Sequence, residues 1–232
     1  MANGRITTGC PELDTLLDGG YENDILTTIY GASGSGKTNL ALICAVSMVK
    51  TGKKVFYIDT EGGFSAARLN QICPDQEVHD KLNFIRPISF DEQKKAFSKL
   101  RDVVDSSFGL IIIDTIAMLY RLELGKNEEV FEANRELGKQ ISILTEIARK
   151  KNIPILVTNQ VYSGFDDGDE IKMVGGDIIK YGSKCIILVK KTLSEERQLI
   201  LKKHRSIPEG RALNFRIVNK GIEVTRSNVC SC

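Results

Sequence analysis

Residues Gly31-Ala32-Ser33-Gly34-Ser35-Gly36-Lys37-Thr38 spell G-x-x-x-x-G-K-T, and few eight-residue stretches restrict a fold so tightly. The spelling serves its chemistry only where a strand runs into a tight turn and a helix leaves it. Glycines let consecutive backbone N–H groups turn inward around a phosphate, and the helix offers its positive end to the same anion. Both flanks are present: the apolar run Ile25–Tyr30 precedes the loop and a helical stretch, Asn39–Lys50, follows it. Lys37 is expected to reach the β/γ oxygens of a nucleoside triphosphate, and the Thr38 hydroxyl to take one position on Mg²⁺.

The rest of the pattern agrees with a strand–helix–strand chain. Lys54–Asp59, Asn83–Arg86, Leu110–Asp114 and Pro154–Asn159 are short and rich in Val, Ile, Phe and Tyr, the signature of strands. Ser89 followed by Glu92 reads as a capping box opening a helix whose apolar face is Ala96, Phe97, Leu100, Val103 and Val104. A longer helix begins at Asn127 or Glu128, with Val130, Asn134, Leu137, Ile141, Leu144 and Ala148 on one face and Phe131 and Ile147 widening the stripe. Such alternation gives a mainly parallel twisted sheet with helices on both faces. After Gly182 the strands shorten and alternate: Cys185–Val189, Gln198–Lys202, Leu213–Val218 and Ile222–Thr225, separated by Pro208-Glu209-Gly210 and Asn219-Lys220-Gly221. They predict a C-terminal antiparallel extension of the same sheet. No linker intervenes, so 1–232 is expected to form a single α/β domain.

Composition excludes several classes. No apolar stretch approaches the roughly 20 residues that cross a bilayer, and Met1-Ala2-Asn3-Gly4-Arg5 lacks the apolar segment of a signal peptide. A cytoplasmic location is expected. Cys10, Cys44, Cys73 and Cys185 then read as buried thiols, and Cys230 and Cys232 as a frayed tail. The net charge of +2 is small, but twelve Lys/Arg against four Asp/Glu lie from Ile178 onward, a surplus of eight. That asymmetry fits either an electrostatic binding face or a solvated surface.

Three further residues belong at the nucleotide. Leu110–Asp114 delivers an acid to the carboxyl edge of the sheet, where Asp114 can hold the Mg²⁺ shell. Glu61 stands just beyond the strand ending at Asp59 and can polarise an attacking water. Gln160, after Val157-Thr158-Asn159, offers an uncharged amide to a γ-phosphate. Its hydrogen bond exists with triphosphate and is lost with diphosphate, which suits a sensor.

Taken together, the blocks resemble the RecA/RadA recombinase family, and within it the short archaeal paralogues. The resemblance rests on Thr7–Leu17 (TTGCPELDTLL), Ile29-Tyr30 running into the phosphate loop, and Tyr57–Phe64 (YIDTEGGF) with Arg68 and Leu69. Thr158-Asn159-Gln160-Val161 and Lys203-His204-Arg205 with Pro208-Glu209-Gly210 complete it, the last block favouring the short paralogues. It implies a RecA-like P-loop NTPase core using ATP and Mg²⁺, with Glu61 as catalytic glutamate, Gln160 as γ-phosphate sensor and Arg68 stacked on adenine. It matches residues 116–128 and 161–182 to two DNA-facing loops, so that Lys172, Lys180, Tyr181 and Lys184 would contact DNA, although packing of Tyr181 on the sheet competes with base stacking. Lys203, His204 and Arg205 occupy a region where related ATPases aim cations at a neighbour's nucleotide. A basic strand end at the surface is the competing reading.

The chain also departs from that pattern. Only a few residues precede Thr8-Gly9 here, so neither an N-terminal DNA-binding domain nor a Phe-x-x-Ala polymerisation motif ahead of it is expected. Phe64-Ser65-Ala66-Ala67 spells that motif in the wrong place. The second loop carries Phe165-Asp166-Asp167-Gly168-Asp169-Glu170, whose carboxylates repel phosphate. The expectation is an accessory factor of homologous recombination and DNA repair with weak ATPase activity. Its partners would be single-stranded or branched DNA, a RadA-type recombinase and a Holliday junction resolvase, its assembly a homodimer rather than a long filament, with no membrane. A DNA-dependent ATPase that exchanges strands, and a KaiC-like regulatory ATPase with no DNA role, are the alternatives, since the core hosts many tasks.

Overall fold

The computed structural model describes residues 4–124, 130–162, 172–192 and 195–228. In chain order the first half carries β1 (Arg5–Ile6), α1 (Pro11–Leu16), β2 (Tyr21–Glu22), β3 (Leu26–Tyr30), α2 (Lys37–Lys50), β4 (Lys54–Asp59), α3 (Ala66–Ile72), α4 (Gln76–Lys81), β5 (Leu82–Ile85), α5 (Phe90–Val103) and β6 (Phe108–Asp114). The second carries α6 (Met118–Glu123), α7 (Val130–Lys151), β7 (Ile155–Asn159), β8 (Val161–Tyr162), β9 (Lys172–Met173), α8 (Gly176–Gly182), β10 (Cys185–Lys191), β11 (Arg197–His204), β12 (Ala212–Val218) and β13 (Gly221–Asn228).

Nine of these strands form one sheet in the order β13-β12-β11-β10-β3-β7-β6-β4-β5. From β10 to β5 every pairing is parallel, and β10 through β13 continue antiparallel, as the change in alternation after Gly182 predicts. Every residue of β3, β6 and β7 is buried, which accounts for their near-continuous apolar spelling. Register aligns their carboxyl ends: Tyr30 opposes Asn159, Ile113 opposes Val157, and Asp59 opposes Asp114. The residues that follow each strand therefore meet at one edge, where open parallel sheets bind ligands.

Each face of the sheet has its own core. α2 is buried nearly all round, from Leu40 to Val49, and packs with α1 and the inner side of β11–β12. On the other face α5 and α7 contribute Phe97, Leu100, Leu137 and Leu144, all fully buried. A third, small cluster of Tyr30, Ile186 and Leu188 lies beneath the β8–β9 hairpin, against Val161 and Met173. The four cysteines Cys10, Cys44, Cys73 and Cys185 are buried thiols. Burial pushes Cys10 up to about 11 and Cys185 up to about 12, so both stay protonated and unreactive. Cys230 and Cys232 lie outside the described residues.

Several local expectations shift. Ser89 caps α5 by accepting from the Glu92 N–H at 3.2 Å, but the Glu92 carboxylate reaches back to the Ile88 N–H rather than to Ser89 itself. Val103 is exposed, because α5 ends there and Val104 turns inward instead. Phe131 does not widen the core stripe of α7: it is 79% exposed, and Val130 is exposed with it. The stripe engages only from Ala133 onward, where α7 meets α5. Neither segment expected to face DNA is irregular throughout, since 116–128 contains α6 and 161–182 contains β8, β9 and α8. The acidic run at 165–170 lies outside the described residues. Among the described residues no helix is long and apolar enough to cross a membrane.

Candidate functional site

β3 runs straight into the phosphate loop. The Gly31 N–H donates to the Asn159 carbonyl at 3.3 Å, and a Cβ on Gly31 would stand 2.0 Å from the Val189 carbonyl oxygen. Only glycine lets β3 pass that close to β10. Gly36, at φ +108°, makes the left-handed step into α2, where any other residue is strained. The loop walls a cavity of about 360 Å³, bounded also by Asn39, Glu61, Gly63 and Ile217.

Lys37 is 7% exposed, and its ammonium donates to the Gly31 and Ala32 carbonyls at 2.9 and 3.0 Å. Burial lowers its pKa, while Glu61 and Asp114 pull it back toward the charged form. The Ser35 hydroxyl is buried and has no hydrogen-bond partner among the described residues. Ser33, Gly34 and Gly36 thus line a cavity together with Lys37, whose buried cation lies against the Gly31 and Ala32 carbonyls, while Gly31, Ala32 and Ser35 stand behind that lining. That arrangement fits a polyphosphate.

Asp114, 1% exposed, ends β6 directly beside the loop. Its Oδ2 accepts from Thr38 Oγ1 at 2.9 Å and from the Tyr57 hydroxyl at 2.7 Å, while Oδ1 accepts from Thr158 Oγ1. A hydroxyl and a carboxylate set edge to edge are hard oxygen donors suited to Mg²⁺. Tyr57 stays protonated, its pKa raised first by burial and then by the Asp114 charge.

Across the cavity, Glu61 is exposed and its Oε1 accepts from Gln160 Nε2 at 2.7 Å. The two residues named for water activation and phosphate sensing therefore touch each other. Gln160 is also built into the hairpin behind it: its carbonyl accepts from the Val174 N–H at 3.1 Å, and Asn159 Nδ2 donates to the Val174 carbonyl at 2.8 Å. Asp59, which ends β4, is fully buried and accepts from the N–H groups of Glu61, Gly62, Gly63 and Phe64. Sequence reasoning missed it, although the acid two residues before Glu61 at a strand's carboxyl end was a readable signal. Tyr57 and Thr158, whose apolar neighbours disguise them as ordinary strand residues, were missed as well.

Arg68, on α3, is partly buried. Its guanidinium edge donates to Asn39 Oδ1 at 2.6 Å and to the carbonyls of Val218, Asn219 and Gly221 at 2.8–3.1 Å. These in-plane bonds hold the plate at the β12–β13 turn and leave stacking to its faces. Phe64 packs on Phe84 at 4.5 Å, so the displaced Phe-x-x-Ala spelling is a core contact here.

Lys172 on β9 and Lys180 on α8 line a second cavity of about 420 Å³ together with Tyr162, Lys202 and Lys203. Tyr181 is 73% exposed and does not pack on the sheet. Lys184 lies just past the end of α8, apart from that cavity, with its backbone on Leu26. Lys203, His204 and Arg205 are engaged within the chain. Lys203 donates to the Lys180 and Ser183 carbonyls at the end of α8, and Arg205 pairs with Glu22 at 2.6 Å and Asp24 at 3.2 Å. The His204 side chain is 2% exposed and stands 3.9 Å from Glu22.

Comparison with known proteins agrees with this geometry. The Rad51 family model matches residues 3–225. Among curated proteins, the chain is 41% identical over 222 residues to the DNA repair and recombination protein RadB of Methanobrevibacter smithii, covering 90% of this chain and 92% of that protein. It is 38% identical over 228 residues to the protein of the same description from Thermoplasma volcanium, covering 97% and 94%. A crystal structure described as that of the RadB recombinase superposes with a TM-score of 0.82 at 36% identity, covering 95% of this chain and all of that one. A P-loop ending β3, an acid ending β6, a glutamate and a glutamine meeting beside the cavity, and relatives aligned over nine-tenths or more of the chain have one reading: the chain belongs to the Rad51/RecA family, in its RadB group.

Proposed function

We propose that this protein is an ATP-binding accessory factor of homologous recombination and DNA repair. It binds DNA, hydrolyses ATP slowly, and assists or regulates a RadA-type recombinase without itself exchanging strands. The DNA and recombination roles come from its relatives' descriptions. The nucleotide role is supported by its own loop.

In this reading the loop N–H groups and Lys37 hold the phosphates, and Thr38 and Asp114 hold Mg²⁺, which when bound neutralises phosphate charge. Glu61 orients the attacking water and accepts its proton. Arg68 offers a guanidinium face to adenine. Gln160 donates either to Glu61 or to a γ-phosphate oxygen, and its backbone carries that choice into the β8–β9 hairpin through Val174. Lys172, Lys180, Tyr181 and Lys184, on and beyond that hairpin, supply the DNA contacts. Partner proteins, a RadA-type recombinase and a Holliday junction resolvase, would act on the same DNA.

The observation that carries slow turnover is the commitment of Lys203 and Arg205 to contacts within their own chain. A cation supplied in trans is worth several orders of magnitude in P-loop GTPases, and here each candidate would have to leave carbonyls or carboxylates first. Steady-state ATP turnover with and without saturating single-stranded DNA tests this, with Glu61→Gln as the blank. A rate far below about 1 s⁻¹ and unmoved by DNA is expected. Stimulation by about tenfold or more, equivalent to about 1.4 kcal/mol off the barrier, would overturn the accessory reading.

A further inference from the structure

The turn that carries Glu61 has no core of its own. Glu61, Gly62 and Gly63 are exposed, and a Cβ on Gly62 would meet nothing within 4 Å. Something other than packing must hold the carboxylate over the cavity, and the candidate is the buried acid beneath it. Asp59 Oδ1 accepts from three successive N–H groups, those of Glu61 at 3.2 Å, Gly62 at 2.7 Å and Gly63 at 3.1 Å. Oδ2 accepts from the Phe64 N–H at 3.2 Å and pairs with Arg86 at 3.3 Å. Arg86 is half-exposed and lies over the Phe84 ring, 5.4 Å from its centroid, so the ion pair is clamped from outside the turn.

We propose that Asp59, braced by Arg86, is the positioning residue of Glu61: the Asp59 carboxylate gathers the backbone of the 61–64 turn and so fixes where the Glu61 carboxylate can stand. The chemistry demands an acid at this place. All four N–H groups and the guanidinium are donors, and only a carboxylate offers acceptors at both oxygens. The far end of the turn is pinned by Phe64, whose ring packs on Tyr57 and Phe84. The near end is pinned by Thr60, whose N–H donates to the Asp114 carbonyl at 2.9 Å. Between these anchors, Asp59 gathers the backbone N–H groups of Glu61 to Gly63, while the Glu61 side chain is held separately by Gln160 Nε2 at 2.7 Å, and Gly63 lies near the Thr38 hydroxyl. The same carboxylate thus sets the spacing between the water-orienting and metal-binding sides of the cavity.

This proposal rests on the ATPase reading of Glu61, and the experiment separates the two. Asp59→Asn keeps the shape but turns an amide NH₂ against donors, Phe64 N–H and Arg86 in one orientation, or three N–H groups in the other. Arg86→Gln removes only the outer brace. Steady-state kcat and KM are measured for both, with the affinity for a fluorescent ATP analogue. Single-turnover hydrolysis of labelled ATP under excess enzyme is measured for Asp59→Asn, Glu61→Gln and the double variant. For Asp59→Asn, kcat is expected to fall on the order of 10²-fold with analogue affinity nearly unchanged, the cost of a misplaced catalytic group. For Arg86→Gln the fall should be roughly tenfold. The double variant should be no slower than Glu61→Gln, since Asp59 works through Glu61. Unchanged kcat in both single variants would overturn the proposal, as would a double variant slower by the full Asp59→Asn factor. Should Asp59→Asn fail to fold, the split between kcat and affinity in Arg86→Gln decides it. If Glu61→Gln itself turns over ATP at the native rate, the role of Glu61 fails instead.

Discussion

Removing one oxygen atom from Tyr57 should cost measurable stability through Asp114. The Tyr57 ring is fully buried, lies 5.6 Å from Phe84 and 5.7 Å from Phe64, and donates its hydroxyl to Asp114 Oδ2 at 2.7 Å. Phe at this position keeps the ring contacts and deletes only the donor. A hydrogen bond to a charged group contributes about 1.5–3 kcal/mol. Oδ2 retains Thr38 as a second donor and Oδ1 retains Thr158, so the loss belongs at the lower end, about 1.5–2 kcal/mol. For a chain of this length that lowers Tm by about 3–8 °C. Urea unfolding followed by circular dichroism, with calorimetry for Tm, gives both numbers without nucleotide. Thr158→Val and the double variant complete a cycle, in which a coupling of at least about 0.5 kcal/mol is expected because the two hydroxyls share one carboxylate. A Tyr57→Phe protein within 1 °C of the native Tm, or a strictly additive cycle, would refute the idea that Asp114 is held by this trio of hydroxyls.

Four further outcomes are expected. Lys37→Ala should abolish the rise in Tm that Mg-ATP produces, and an unchanged rise would move the nucleotide elsewhere. His204 is kept neutral, its pKa lowered by burial more than Glu22 raises it, so the unfolded chain binds its proton first. Its contribution is whole above the ordinary value near 6.5 and is lost as pH falls through it; His204→Gln should therefore flatten the stability profile between pH 7 and 5. Leu144→Ala, in the core beneath α7, should cost about 2–5 kcal/mol, whereas Phe131→Ala, 79% exposed, should stay within about 0.5 kcal/mol of the native protein by urea unfolding. Replacing Lys180 and Lys184 together should weaken DNA binding and reduce the slope of log K against log salt by about 2; an unaltered slope would place the DNA contacts on another face.

The sequence alone determined the parts whose chemistry is local. A phosphate loop must be spelled with glycines, lysine and a hydroxyl between strand and helix, and each strand of a fully covered parallel sheet must be spelled with a continuous apolar run. Those constraints made Lys37, Thr38, Asp114, Glu61 and Gln160 readable as candidates, together with the strand–helix alternation and the antiparallel extension. What depended on who packs against whom was not readable. Val103 and Phe131 fit the period of their helices, yet are exposed, with no partner element against them among the described residues. Lys203, His204 and Arg205 read either as cations aimed at a neighbour's nucleotide or as a basic strand end at the surface, and only the fold brings Glu22 and the end of α8 against them. The Glu61–Gln160 bond joins residues 99 apart in the chain, and the Tyr57–Asp114 bond joins residues 57 apart. The sequence names the donors and acceptors, but sheet order decides which of them meet, because neighbouring strands in a crossover sheet are distant in the chain.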